Sequence, residues 1–237
     1  MDCNFSLTSL IQGRASKRVE GFYLGWTILN FFGISWLAQL TYPEPYSPLF
    51  HNISHLGGFV HNPEGALLWN IGMVGVGILL LPHQLYLHKH LKASFPGNNP
   101  STQKVLKVGL GCRVIACLGI IFIAILPEDL GIWHMIPAFG VFFGFLIAFN
   151  LDFGLLWQYS PRLRSRKGIL LWLIIGWMDF TFLGLVVTQL FPALLAQWGI
   201  PVIILELSPW EWSLFVSYFG WMGGLHILLE KISKRRN

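Results

Sequence analysis

Charge is what this sequence has least of. Among 237 residues there are 11 Asp and Glu and 16 Lys and Arg, so charged side chains make up 11 % of the chain. A soluble globular domain carries about 25 %. An ordinary soluble enzyme is excluded on that ground. So is a disordered chain, which combines high charge with few apolar residues. Cysteine is also scarce: Cys3, Cys112 and Cys117 are the whole complement, and none has CxxC spacing. That excludes a disulfide scaffold and a zinc-ribbon type of site. Heptads, internal repeats and a second domain are likewise missing. A cleavable leader is not expected, because residues 1–19 hold Arg14, Lys17 and Arg18 but no apolar core of signal length.

What the chain does have is apolar sequence. Hydrophobic residues make up 54 %, and the mean hydropathy is +0.58. Six long apolar runs stand out, at about 21–42, 66–87, 105–126, 132–157, 168–190 and 210–229. Each exceeds the roughly 18 residues that mark a transmembrane helix. The runs are continuous and do not alternate, which favours helices over barrel strands. The expected fold is therefore all-α, an integral membrane six-helix bundle forming one domain over residues 1–237.

The basic residues give its orientation. Arg14, Lys17 and Arg18 precede the first run. Lys89, Lys92, Lys104 and Lys107 flank the second connection, and Arg162, Arg164, Arg166 and Lys167 fill the fourth. Lys231, Lys234, Arg235 and Arg236 follow the sixth, whereas the first, third and fifth connections contain no Lys or Arg. This is the positive-inside pattern of an even number of spans, with both termini cytoplasmic and the cell membrane as the expected location. It also accounts for the net charge of +5 without nucleic acid. These side chains mark topology, with a lesser role in holding anionic headgroups. Trp69, Trp133, Trp210 and Trp212 are expected at the outer interface, and Tyr23, Trp157 and Tyr159 at the inner one.

The outer connections collect the polar chemistry. The first, residues 43–65, supplies His51, Ser54, His55, His61 and Glu64. A tight acidic turn at 127–131 supplies Glu128 and Asp129, with His134 following. The last, 191–209, adds Glu206 with Glu211 just beyond it, and is too apolar for a free loop. It is expected to lie in the interface or to dip back as a re-entrant segment. Helix packing would gather these connections over one mouth. Such a His/carboxylate set could bind zinc or another divalent metal, or supply a general acid and base. Its spacing matches no known zinc motif and names neither a metal nor a cofactor. A purely polar, structural mouth is the competing reading. Glu128 and Asp129 also suit helix capping or loop fixing at the start of the fourth span.

Charges within the spans are costly. Asp179 lies eleven residues into the fifth run, where an Asp costs about 2.5–3.5 kcal/mol on insertion scales. It is expected to face the bundle interior and find a partner. Arg113 on the third span matches Asp152 on the fourth in depth, beside Asn150. A pairing of Arg113 with Asp179 would need a longer reach. Either is structural or lines a polar cavity for substrate or protons. His83 and His226 share an inner depth, which allows haem ligation or, more simply, satisfied interfacial histidines. Gly21/Gly25, Gly140/Gly144 and Gly220/Gly224 permit close helix approach. Asn52-Ile53-Ser54 fits a glycosylation acceptor.

Two stretches carry a family pattern. Ile53-Ser54-His55-Leu56-Gly57, then Asn62-Pro63-Glu64 and Trp69-Asn70, resembles "ISDLG … P … FN … G". Leu126-Pro127-Glu128-Asp129, then His134 and Ala138-Phe139, resembles "FPED … H … A". In this order on six spans, the chain resembles the prokaryotic membrane family called domain of unknown function 998, itself similar to DRAM-like lipid-associated membrane proteins. The resemblance covers about residues 20–230. His55 stands where the pattern has Asp, and Trp69 and Leu126 where it has Phe. It implies that Ser54, Gly57, Pro63, Asn70, Pro127, Glu128, Asp129 and His134 form one outer-leaflet constellation. The family has no established activity to lend.

Three functions follow as expectations. The first is binding of a membrane lipid or other amphiphile at the outer mouth, alone or as an accessory subunit or homo-oligomer, with Ser54, Glu64, Asn70, Arg113, Asp152 and Asp179 as candidate ligand-binding residues. The second is a membrane-embedded lipid hydrolase or transferase, with His55 or His134 as base or metal ligand and Glu128 or Asp129 as acid or orienter. The third is a small transporter with Asp179 and Arg113 on its pathway.

Overall fold

The computed structural model describes residues 6–95, 99–159, 169–191, 197–198 and 207–233. Among them lie seven α-helices and no strand: α1 (Leu7–Ile11), α2 (Lys17–Leu40), α3 (Ala66–Ser94), α4 (Pro100–Ile125), α5 (Ile132–Tyr159), α6 (Ile169–Leu190) and α7 (Ser208–Ser233). Five of these, α3 to α7, are long and apolar enough to cross a membrane. The chain is thus a multi-pass membrane protein. Helix α2 has the length, at 24 residues, but falls outside that set. It opens on Lys17, Arg18 and Glu20 and carries Asn30 with several Trp and Tyr residues, which lower its hydropathy. The basic cluster at 162–167, the residues 234–236, Glu206 and most of the apolar connection at 191–209 lie outside the described residues.

Local signals set the helix starts. The Ser16 side chain accepts from the Val19 amide and opens α2. Asn99 accepts from the Ser101 amide, and Pro100 takes the first position of α4, where its missing N–H costs nothing. Both helices therefore begin several residues before the apolar runs do. Helix α4 packs most closely on α5 and then on α3, α2 lies against α3, and α6 lies mainly on α7. Two glycines make the α4–α5 approach possible. A Cβ at Gly119 would stand 2.8 Å from the Pro137 carbonyl oxygen, and one at Gly144 would stand 2.7 Å from that of Cys112. In lipid, with little hydrophobic drive between helices, such backbone proximity is a main source of cohesion. Of the glycine pairs expected to act this way, Gly144 does; Gly25 has open space around it.

The core between the helices is aromatic. Phe31 stacks on Phe215, and Phe145, Phe149, Tyr218 and Trp221 form a continuous ring cluster. Two interfacial expectations fail here. Trp69 is 1 % exposed and Tyr23 is buried. Trp69 is buried within the protein because its ring covers Gly57. Tyr23 turns inward to donate to the Leu79 carbonyl at 2.7 Å.

The described connections cluster at two ends. At one, the start of α2 meets the end of α7, where the Lys17 ammonium donates to the Leu229 carbonyl. At the other, residues 43–65, the turn Glu128–Leu130 and the first residues of α7 come together.

Candidate functional site

The buried side chain of Asn62 organises the connection between α2 and α3. Its amide donates to the carbonyls of Ala38 at 3.0 Å and Leu56 at 3.2 Å, and its oxygen accepts from the Gly65 amide at 3.2 Å. Asn70 on α3 donates to the Gly57 carbonyl at 3.0 Å. This connection is joined to α7 by several hydrogen bonds, among them one from the Trp212 indole to Tyr46 Oη at 3.1 Å. The Ile53 amide donates to Glu211 Oε2 at 3.1 Å, and the Ser208 hydroxyl donates to Asn52 Oδ1 at 2.7 Å. Asp129 joins it to the acidic turn, accepting from the amides of Phe59 at 2.5 Å and Val60 at 3.2 Å. Asp129 is therefore a loop fixer and does not cap α5.

Within this frame His55 Nε2 stands 3.4 Å from Glu128 Oε1. The imidazoles of His55 and His61 lie nearly parallel, with centroids 4.1 Å apart, and Tyr42 Oη lies 3.5 Å from His55 Nδ1. Ligand atoms of His55, His61 and Glu128 all fall within 4.8 Å of one another. Burial pushes the Glu128 carboxyl up to about 7; the charge of Asp129 adds to this, and a Ser54 hydrogen bond opposes it. Burial, then the neighbouring His61 and His51, bring the His55 imidazole down to about 4. At neutral pH His55 is uncharged, so its contact with Glu128 is not an ion pair.

The remaining predicted residues divide into three groups. His134 is buried and turns Nδ1 to the Leu126 carbonyl at 2.7 Å. It shares with Ser54 and Glu211 a cavity of about 20 Å³, room for about one water. His134 is thus not in the His55 cluster. Glu64 is exposed and takes no part in these contacts. In the spans, Arg113 and Asp152 form an ion pair buried to within 1 %, the pairing that their depths suggest. Asp179 does not face the interior. It is exposed on α6 and accepts from Asn150 at 2.8 Å, because α6 packs on α7 and leaves its other side open.

A second polar cluster sits at the opposite end. The carboxylate of Glu20, wholly buried, takes one oxygen to His83 Nδ1 and the other to His226 Nδ1. Both imidazoles turn to that carboxylate, not to a shared iron position. The sequence reading paired the two histidines by depth but missed Glu20. Its position one turn after Lys17, level with both, was the available signal.

A lateral groove of about 420 Å³ runs between α4 and α5. Its walls are apolar: Ile115, Leu118, Phe122 and Leu126 on one side, Trp133, Ile136, Pro137 and Gly140 on the other. Leu126 and Trp133, which line the groove, bracket the acidic turn in the chain. Compared with protein-family models, curated proteins and solved structures, the chain matches none.

Proposed function

We propose that the protein is a six-span protein of the cell membrane, both termini cytoplasmic, that binds a lipid or similar amphiphile from the outer leaflet. Helix α2 supplies the sixth span. The meeting of α2's start with α7's end at one pole supports an even number of crossings, and the basic connections assign that pole to the cytoplasm. The motifs around Ile53–Gly57 and Leu126–Asp129 support membership of the family called domain of unknown function 998.

One observation carries the binding reading: an apolar groove of about 420 Å³ opens sideways between α4 and α5, lined by Leu126 and Trp133, the residues that bracket the acidic turn in the chain. That volume lies within the roughly 300–1,000 Å³ of small-molecule sites. An acyl chain lies along Phe122 and Ile136, and its headgroup reaches the turn that holds Glu128 and Asp129. The enzyme reading has less support, since His134 and His55 are turned to different partners. The transporter reading has less still, since Asp179 and Arg113 belong to separate pairs.

Native mass spectrometry of protein released from mild detergent tests this reading. Gly140 lines the groove and a Cβ there meets nothing nearer than 3.6 Å, so Gly140→Phe directs a ring toward the groove, and Gly140→Ala, which that clearance accommodates, is its control. The wild type retains a stoichiometric lipid, and Gly140→Phe loses it while keeping the same melting temperature. Equal lipid retention by these two proteins would refute the assignment of the groove.

A further inference from the structure

We propose that His55, His61 and Glu128 form a site for one zinc-class divalent transition-metal ion at the outer mouth. The inference stands apart from the lipid reading, and neither requires the other.

The argument begins with distance. Zinc bonds to imidazole nitrogen and carboxylate oxygen are about 2.0–2.2 Å long and tetrahedral, which sets neighbouring donors about 3.3–3.5 Å apart. His55 Nε2 and Glu128 Oε1 are 3.4 Å apart. That is long for a hydrogen bond, whose N···O distance centres near 2.9–3.0 Å, yet it matches one edge of a metal tetrahedron. His61 supplies the third donor, since one ligand atom from each of the three residues lies within 4.8 Å of the others. Its exposed ring turns about its own side-chain bonds at little cost to complete the set.

A second observation points to a ligand independently. Glu128 Oε2 is shut off from solvent and has no hydrogen-bond partner among the described residues that meets full geometry, Ser54 being the hydroxyl that acts on this carboxyl. A buried carboxylate oxygen left without a donor is costly, and a cation at this place relieves it. The surroundings also hold the donors. Asp129 spends both its oxygens on the amides of Phe59 and Val60, which fixes the Glu128 turn against the segment bearing His61. Tyr42 Oη lies beside His55 Nδ1, so Nε2 is the nitrogen presented to the site, as outer partners of metal-bound histidines do.

The donor set decides the class of ion. Two imidazoles and one carboxylate suit zinc and its neighbours. Calcium and magnesium prefer six or more oxygen ligands and are discriminated against. Three protein ligands leave a fourth position open, and the exposure of His61 places it on the solvent side. Water or an anionic oxygen fills it.

The test is titration of the full-length protein in detergent, stripped with chelator, using Co²⁺ followed by its visible absorption and Zn²⁺ by competition. The expected result is one ion per chain, with tetrahedral cobalt bands. Affinity falls at least about 100-fold in His61→Ala and in Glu128→Gln, beyond the loss typical of outer-shell changes. Glu64→Gln, which alters a carboxylate outside the triad, leaves it unchanged, as does Gly140→Phe. Thermal melts confirm that each variant folds; His61 is exposed, so its variant keeps the test decisive even if Glu128→Gln is unstable. Absence of saturable binding at one per chain, or binding of equal strength in His61→Ala, would overturn the proposal.

Discussion

Removing Asp152 should damage the protein more than removing Arg113. The two side chains form an ion pair between α4 and α5, with Arg113 0 % and Asp152 1 % exposed. The pair joins through one guanidinium nitrogen only. Nε and Nη2 of Arg113 and Oδ1 of Asp152 have no further partner among the described residues. Breaking a buried pair by deleting one member costs about 3–5 kcal/mol because the survivor is stranded as an unpaired charge. The survivors differ. An aspartate left alone can take up a proton and become neutral, whereas an arginine cannot lose one in a protein. Asp152→Leu should therefore fall at the upper end of the range and Arg113→Leu at the lower. For a chain of this size each kcal/mol is about 2–4 °C of melting temperature, which puts Asp152→Leu roughly 10–20 °C below the wild type. The double variant Arg113→Leu/Asp152→Leu strands nothing and should recover most of the loss, since apolar replacements of buried pairs are often neutral or stabilising. Thermal unfolding in one detergent, read by intrinsic Trp fluorescence, gives all four values. Equal losses in the two single variants, with no recovery in the double, would refute the reasoning.

Three further outcomes follow from the same geometry. Asp129→Ala removes two charge-assisted bonds and should destabilise by about 2 kcal/mol, with faster hydrogen exchange at the Phe59 and Val60 amides; unchanged exchange there would count against the bridge. Gly119→Ala, whose Cβ would meet the Pro137 oxygen at 2.8 Å, should cost about 1–3 kcal/mol, while Gly140→Ala, with 3.6 Å of room, should change stability little. In chelator, the Glu128 carboxyl is held up to about 7, so the folded state keeps its proton where the unfolded chain has lost it. Its favourable contribution is complete below the unfolded value of about 4.5, fades as pH rises through 7, and totals about 3 kcal/mol at most. His55, held down to about 4, acts with the opposite sign, losing stability as pH falls from 6.5 toward 4, so the comparison is wild type minus Glu128→Gln between pH 5 and 8. A flat difference over that window would contradict the burial of Glu128.

The helices were readable because lipid removes alternatives. A continuous apolar run must satisfy its backbone internally, and α3 to α7 appear where those runs stand. Their starts at α2 and α4 moved outward because Ser16 and Asn99 cap backbone amides, a local effect that hydropathy does not register. The pairing of Arg113 with Asp152 followed from depth alone, since two charges at one level in adjacent spans have few other partners. Asp179 shows the limit of that argument. Depth predicts that it needs a partner, but rotation about the helix axis depends on which neighbour α6 packs against, and α6 chose α7. Trp69 fails similarly: an aromatic at a span end suits the interface by composition, yet the glycine at position 57 opens a place for its ring inside. At the mouth, the residue types and their convergence were visible in the sequence. The division of labour was not, because Asp129 facing amides and Glu128 facing imidazoles are adjacent residues set apart by one turn of backbone.

The most direct test of lipid binding at the α4–α5 groove is cross-linking with a photoactivatable phospholipid in a bilayer, mapped by peptide mass spectrometry. A groove that holds a lipid predicts labelling concentrated on Ile115, Phe122, Trp133 and Ile136, reduced in Gly140→Phe and competed by unlabelled lipid. Exposed residues away from the groove, such as Trp26 at 59 % and Trp36 at 59 % exposure on α2, should label weakly and without competition. Labelling spread evenly over α2 and the groove, and indifferent to Gly140→Phe, would contradict the account.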